Sequence, residues 1–429
     1  MRFKIEKSQI SKLFKANLFR DTLWVLLAKL FNVVMQALYF VIVARFLGAK
    51  NYGSFIAVTA LASIIFPFAA LGSEHILVQY VAINRATFSV YWGNTLLILL
   101  INSSFLTVVL LLLSPIIFAQ NISWLTILII LLADLFCLGL LDVSFKALIA
   151  ANLVKKSAQL GILNTCGKLL AALSLAVFFP NPNTTTWACL YLISSAVIGL
   201  VAILSVNHLV GSAQFNLSKL KSEIKPGIYF SISASANNIN SSLDKTMLGS
   251  MSSLTATGIY GSAYRFIDVG YVPLIALFSA SYTKFFQHGS SGIRSSLGFA
   301  KKLFPFLSMY ALLSVVGYLV FAPVLPIILG DEYADAIAAL RWLAPIPGLA
   351  AFQMLAADTL TGAGFQKSRS IVQVIAALLN LSLNFILIPQ FSWKGAAWAT
   401  LCSDSFRMIG LWIIVIFLYR QEVKMAKSS

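Results

Sequence analysis

The sequence predicts an all-α integral membrane protein: twelve transmembrane helices in two six-helix bundles around a central cavity. Three observations predict it. Hydrophobic residues make up 59% of the chain and charged residues only 10%, and the mean hydropathy of +0.88 lies far outside the soluble globular range. Apolar runs of about twenty residues, enough to span a bilayer as a helix, recur along the chain. Basic residues gather in every second connection between those runs. The runs do not alternate apolar with polar residues, which argues against a membrane β-barrel; helices are then the open-ended way to satisfy the backbone in lipid.

A basic tail, 1–22, carries Arg2, Lys4, Lys7, Lys12, Lys15 and Arg20 and leads into the first segment, 23–45. That segment is too long for the core of a signal peptide and has no small-residue cleavage site behind it, so it is expected to stay in the protein. Lys29, Asn32, Gln36 and Tyr39 follow steps of three, four and three, and so share one helical face. Segments 53–83 and 92–118 are apolar, with Arg85 between them. Segment 124–150 holds Asp134 and an i,i+4 pair, Asp142 and Lys146; 157–179 holds Lys168; 187–208 closes the first bundle, 23–208. The linker, 209–226, carries Lys219, Lys221 and Lys225.

The second bundle, 227–418, opens with 227–250, whose "ISASANNINSSLDKTMLGS" is unusually polar. Ser233, Asn237, Asn240 and Asp244 follow steps of four, three and four along one face, with Asn238, Ser241 and Lys245 beside it. Segment 256–284 carries Arg265 and Asp268 at i,i+3. Segment 302–328 follows; 336–363 holds Asp358 and, near its start, Arg341 close to Asp335. Then come 369–388 and 395–418, the last with Asp404 and Arg407 at i,i+3, and a basic tail, 419–429. Each of the three close acid–base pairs can neutralise itself within its own helix.

The connections "SPIIFAQNISW", "FFPNPNTTTW" and "SMSSLTAT" hold no Lys or Arg and "GDEYAD" is acidic, with Lys50 and Lys394 as exceptions. The side bearing the basic connections is therefore cytoplasmic, and both termini lie on it. The net charge of +17 is mostly a topology signal facing anionic lipid. No zinc finger, RNA-binding motif or aromatic-basic patch points to nucleic acid. The two bundles are weakly alike: Tyr52-Gly53 and Tyr260-Gly261 open their second segments. Six helices per half make the repeats parallel, an arrangement associated with a cavity between bundles.

Charges at bilayer depth cost roughly 2.5–3.5 kcal/mol on insertion scales, so they face a cavity or a partner. Polar stripes on the first helix of each half point to a shared cavity; the other reading is hydrogen bonds that glue helices together. Lys29, Arg45 and Lys168 lack an acid at helical spacing, and extra cations favour an anionic ligand. Asp134 and Asp358 are the unpaired acids, candidates for ion coupling or for neutralising a lysine across the bundle. Cys137, Cys166, Cys189 and Cys402 stand singly in apolar runs, and His75, His208 and His288 lie far apart, so neither disulfides nor a metal site is expected. No Walker A, GxSxG or HExxH motif is present, and no cofactor or enzymatic activity is expected.

Three stretches resemble the polysaccharide flippases, exporters of O-antigen and exopolysaccharide on lipid carriers. They are "VARFLGAKNYGSFIAVTALASIIFPFAALGSEHILVQYVA", "LDKTMLGSMSSLTATGIYGSAYRFIDV" and "LNLSLNFILIPQFSWKGAAWATLCSD". The last is the most specific, although the usual Gly after Ile-Pro is shifted to Gly395. The resemblance implies a V-shaped pair of bundles in the bacterial inner membrane, working by alternating access. It implies an undecaprenyl-diphosphate-linked oligosaccharide as substrate, flipped from the cytoplasmic to the outer leaflet with a proton or sodium gradient as the energy source. A polysaccharide polymerase and chain-length proteins would be partners beside membrane lipids. The family's lumen cations match Arg45 and Arg265 here; Lys29, Asn237, Asn240, Asp244 and Lys245 join the candidate substrate site from the helical stripes. A lipid II flippase, a multidrug/toxin extrusion antiporter and a non-transporting scaffold are the competing readings.

Overall fold

The computed structural model describes the backbone of residues 7–118 and 122–428; the side chains of 7–30, 217–226, 237 and 425–428 lie outside the described residues. The chain is all-helical there, with no strand among the described residues. In order the helices are α1 (Lys7–Ile65), α2 (Ser73–Ile83), α3 (Phe88–Ile117), α4 (Trp124–Leu131), α5 (Leu138–Ala150), α6 (Val154–Phe178), α7 (Thr184–Leu209), α8 (Leu217–Met251) and α9 (Leu254–Gly289). They continue as α10 (Ile293–Phe321), α11 (Leu325–Leu329), α12 (Asp335–Leu343), α13 (Ile346–Gly362), α14 (Gln366–Phe391) and α15 (Trp393–Ser428). A π-helical stretch, Leu132–Cys137, joins α4 to α5 with helical residues on either side of it.

Ten stretches among the described residues are long and apolar enough to cross a membrane, against twelve segments in the sequence reading. The difference lies in two places. One stretch, Phe31–Phe68, runs through Gly48, whose φ of 71° and ψ of 169° are non-helical. A straight α1 of 59 residues would reach about 88 Å at 1.5 Å per residue, far beyond a bilayer. Gly48 adopts what a side chain would resist, and α1 turns into two arms there. The other place is α8, which is long enough but too polar to count, because its "NNINSSLDK" sits where the others carry Leu, Ile and Val. α8 also starts at Leu217, inside the expected linker, leaving only 210–216 non-helical. The second segment of the sequence reading is itself interrupted: Leu71 and Gly72 both take positive φ between α1 and α2.

Helix ends fall into two layers. The connections 84–87, 151–153, 210–216, 290–292 and 363–365 form the basic end; Gly48, Phe118, 122–123, 179–183, 252–253, 330–334 and Ser392 form the far end. The core is divided between them. One apolar cluster at the far end draws on both halves, including Val43, Phe55, Trp187, Leu248, Tyr260, Tyr333 and Leu340. Toward the basic end the core splits: one cluster, around Trp92, Leu141 and Val206, is built from the first half alone. Its counterpart, around Phe285, Leu355 and Val415, is built from the second half alone. Two halves joined at one end and separately packed at the other make a V that opens toward the basic end. Outward-facing Phe105, Leu112, Ile116, Val177 and Val320 remain largely exposed, as expected of surface that meets lipid instead of water.

The far end is closed by backbone contact and by a polar clamp. Gly53 and Gly258 lie against Leu254 and Ala49 so closely that a Cβ on either would overlap backbone atoms. Arg45 donates to the carbonyls of Ile327 and Ile328 at 3.0 and 2.9 Å. Glu332 accepts the Ala49 amide at 2.9 Å, and Tyr333 donates to the Ala44 carbonyl at 2.9 Å. One face of the V is also sealed by a seam between α8 and the chain near the end of α1. There Ser231 and Ser235 donate to the Pro67 and Ile64 carbonyls, Asn238 donates to the Ser63 carbonyl, and Ser63 meets Ser242 at 3.0 Å.

Candidate functional site

Two polar cavities lie inside the V and meet at Asp268, which lines both. The first, about 380 Å³, belongs to the first half and α9: Gln36 and Tyr39 from α1, Asn164, Thr165 and Lys168 from α6, Tyr191 from α7, and Arg265 from α9. The second, about 670 Å³, lies within the second half between α8, α9, α14 and α15. Its polar wall includes Asn240, Asn380, Asp404 and Arg407.

The first cavity is cationic because of how its charges are partnered. Lys168 reaches over the Tyr191 ring, 5.0 Å from its centroid, and the Tyr191 hydroxyl donates to Asp134 at 2.7 Å. Asp134 is thus tied up behind the ring, and a cation–π contact leaves the ammonium's own donors available. Arg265 is exposed in the cavity wall, and it does not form the expected ion pair with Asp268. Asn32, next on the α1 stripe, accepts from Thr165 at 2.5 Å and so docks that stripe on α6. The second cavity has the opposite balance: Asp268 and Asp404 face a single cation, Arg407, which donates to Asp404 at 2.7 Å, the one self-contained pair of the sequence reading that closes. Neither Asp142–Lys146 nor Arg341–Asp335 is in ion-pair range.

The polar stripe of α8 divides between both readings of it. Ser233 and Asn240 line the second cavity, whereas Asn238 hydrogen-bonds across the seam to α1. Asp244 is buried, 4% exposed, and accepts from the Tyr260 hydroxyl at 2.6 Å and the Lys245 amide at 2.8 Å. Lys245 points its ammonium at the Ser241 carbonyl (2.6 Å) and Asp244 (3.4 Å), and lies 3.9 Å from the Tyr264 ring centroid. Both charges are spent on each other and on groups of α8 and α9, so neither presents free charge to a ligand. Arg45 is likewise placed in the far-end clamp, away from both cavities. Asp358 sits toward the basic end beside Arg369, 3.7 Å away. The side chains of Lys29 and Asn237 lie outside the described residues. Tyr191 and Asn164 were not singled out by sequence, and Asp268 was read there only as the i,i+3 partner of Arg265; Lys168 carried a signal, a mid-segment lysine with no acid at helical spacing.

A family model described as "Polysaccharide biosynthesis protein" matches residues 18–287. The chain belongs to that family. No curated protein matches the sequence significantly. Among solved structures, the chain is similar to an inward-facing multidrug resistance MATE family transporter of the MOP superfamily, with a TM-score of 0.74 at 14% identity over 92% of this chain and 96% of that one. It is similar to the lipid II flippase MurJ in an inward closed conformation, with a TM-score of 0.71 at 13% identity over 91% and 86% of the two chains. A MOP superfamily transporter from Pyrococcus furiosus follows at a TM-score of 0.60 and 15% identity, over 92% and 95%. At these identities the likeness establishes the fold: this member of the family has the V-shaped architecture of the MOP transporters and is a multi-pass membrane protein.

Proposed function

We propose that the protein flips an undecaprenyl-diphosphate-linked oligosaccharide from the cytoplasmic to the outer leaflet of the bacterial inner membrane by alternating access. The observation that carries this reading is the placement of Lys168 and Arg265 in one wall of a cavity between the halves, without an ion-paired acid for either. A diphosphate-sugar cannot enter hydrocarbon because its charges and hydroxyls would go unsatisfied. Ammonium and guanidinium donors replace part of its hydration, and hydroxyl and amide groups of Tyr39, Gln36, Asn164 and Thr165 can meet the sugar. The basic end would face the cytoplasm with both termini, so the V described above is open to the leaflet where the substrate is made. Asp134 and Asp358 are the acids we assign as candidates for ion coupling, and a polymerase and chain-length proteins would act downstream.

A second reading, extrusion of organic cations, draws on Asp268 and Asp404 in the second cavity. Arg407 offsets Asp404 there, which weakens it. Lipid analysis after depletion in the native host separates the two. The flippase reading expects polyprenyl-diphosphate oligosaccharides to accumulate on the cytoplasmic side while surface polysaccharide falls. Unchanged lipids with raised susceptibility to cationic drugs would replace it with the extrusion reading.

A further inference from the structure

On α9, Tyr264, Asp268, Tyr271 and Ile275 recur at steps of four, three and four and share the face that lines the second cavity. On α14, Ser370, Gln373, Ala377 and Asn380 recur at steps of three, four and three and line another of its walls. Each wall therefore mixes polar groups with apolar ones. The hydroxyls of Tyr264 and Tyr271, the amides of Asn240 and Gln373 and the carboxylate of Asp268 have no hydrogen-bond partner among the described residues. At membrane depth such groups are costly unless water or a ligand meets them. The charges are also unequal. Asp268 is exposed and has no ion-pair partner among the described residues, while Asp404 is held by Arg407, the one cation in the described lining. Lys245, over the Tyr264 ring, is matched by Asp244.

Taking the flippase reading as given, with the diphosphate at Lys168 and Arg265, we infer that the second cavity holds the outer sugars of the lipid-linked glycan and selects sugars that carry no acidic group. The two cavities meet at Asp268, so one ligand can run from the first into the second. A pyranose has an apolar C–H face and a rim of hydroxyls. The rings of Tyr264 and Tyr271, with Ile275 and Val374, suit the face. Asn240, Gln373 and Asp268 suit the rim, since a hydroxyl donates to a carboxylate and both donates to and accepts from an amide. A uronic acid brings a carboxylate instead. It would be the third acid facing one guanidinium, in a site shielded from bulk water where like charges repel more strongly. The cationic first cavity and the acid-leaning second one thus divide the ligand: anionic at the diphosphate, uncharged or amino-bearing beyond it. An organic cation, the competing occupant, satisfies the acids but leaves the amides and hydroxyls unmet.

The test measures binding of three probes, all built on farnesyl diphosphate, to the full-length protein in nanodiscs. One carries N-acetylglucosamine alone, one N-acetylglucosamine followed by galactose, and one N-acetylglucosamine followed by galacturonic acid, which differs from galactose only in bearing a carboxylate. Wild type should bind the galactose probe more tightly than the single-sugar probe, and at least about tenfold more tightly than the galacturonic acid probe. Asp268→Asn is isosteric and breaks no ion pair, so folding should survive, and it should close that gap to about threefold or less. Gln373→Lys brings a cation from α14 and should close the gap from another wall. The readout is a ratio, so any common change at the diphosphate cancels. A wild-type ratio near one, a preference for galacturonic acid, or a full gap retained in both variants would overturn the sugar selectivity and leave the flippase reading standing. Lys168→Gln tests that reading separately, because it should weaken all three probes by the same factor. A gap closed by Asp268→Asn without any Lys168 effect would keep the sugar site and remove the diphosphate assignment. Failure of wild type to bind any of the three would remove both.

Discussion

At the residue scale, what matters is whether a charge still has donors to offer. Lys168 leans on an aromatic face, while Lys245 is consumed by Asp244 and the Ser241 carbonyl. Lys168→Gln and Arg265→Gln should each weaken binding of a diphosphate-bearing ligand about tenfold or more, with membrane abundance unchanged. Arg45→Gln, by contrast, should leave ligand affinity in a closed-far-end state untouched; an equal loss at Arg45 would place the anion site elsewhere. Asp244 calls for the opposite experiment. Removing it strands the ammonium of Lys245, so Asp244→Ala should cost about 3–5 kcal/mol of stability. Tyr260→Phe should cost about 1–3, read as lower melting temperatures in detergent. A stable Asp244→Ala protein that has lost only ligand binding would refute its structural role. These distinctions were partly legible in sequence. The lone lysine in segment 157–179 was visible as an unpaired charge, but its partner ring, Tyr191, lies on another helix. Arg45 looked like a free cation because the carbonyls it reaches are 282 and 283 residues away.

At the element scale, the far-end clamp is a small set of contacts opposing a large motion. Glu332 holds the amide that begins the second arm of α1, and Gly48 beside it leaves no room for a Cβ against that carboxylate. Glu332→Ala releases the amide and should shift the resting population toward far-end opening by roughly the worth of one charge-assisted hydrogen bond, about 1.5–3 kcal/mol. Gly53→Leu should do so more strongly, because its side chain must displace the α9 backbone. Cysteines at Asn181 and Asp331 would report it by faster labelling with a membrane-impermeant thiol reagent in a Cys-free background; unchanged labelling in both variants would mean the clamp does not hold the gate. Element existence was well legible, since apolar runs and basic connections mark most of the spans. What escaped was the interruption at Leu71 and Gly72, since glycine near the end of an apolar run does not announce a positive φ. Missed too was the helical character of 217–226, where charged residues read as linker although a helix beyond the membrane needs no apolar stretch. The weak Tyr-Gly repeat gained meaning only in three dimensions: Gly53 packs on α9, and Gly261 packs on Ile56 of α1, so the two copies face each other across the junction.

At the scale of the whole molecule, the division of the core into one shared and two separate clusters dictates how it can move. Each half keeps its own packed interior at the basic end, so rocking there breaks little apolar contact. The shared cluster must part for the far end to open, and the seam between α8 and α1 is where polar contacts can slide without exposing large side chains. A rigid-body rock about that seam couples the two ends with opposite signs. Spin labels at Lys156 and Lys302 straddle the halves at the basic end, and labels at Asn181 and Asp331 straddle them at the far end; all four positions are exposed. On turnover with ligand and an ion gradient, the first distance should shorten as the second lengthens, in the same fraction of molecules. Parallel lengthening of both would mean that the halves separate instead of rocking. If only the far-end distance changed, opening would be local to the clamp, and the split core would be a feature of packing without a role in transport.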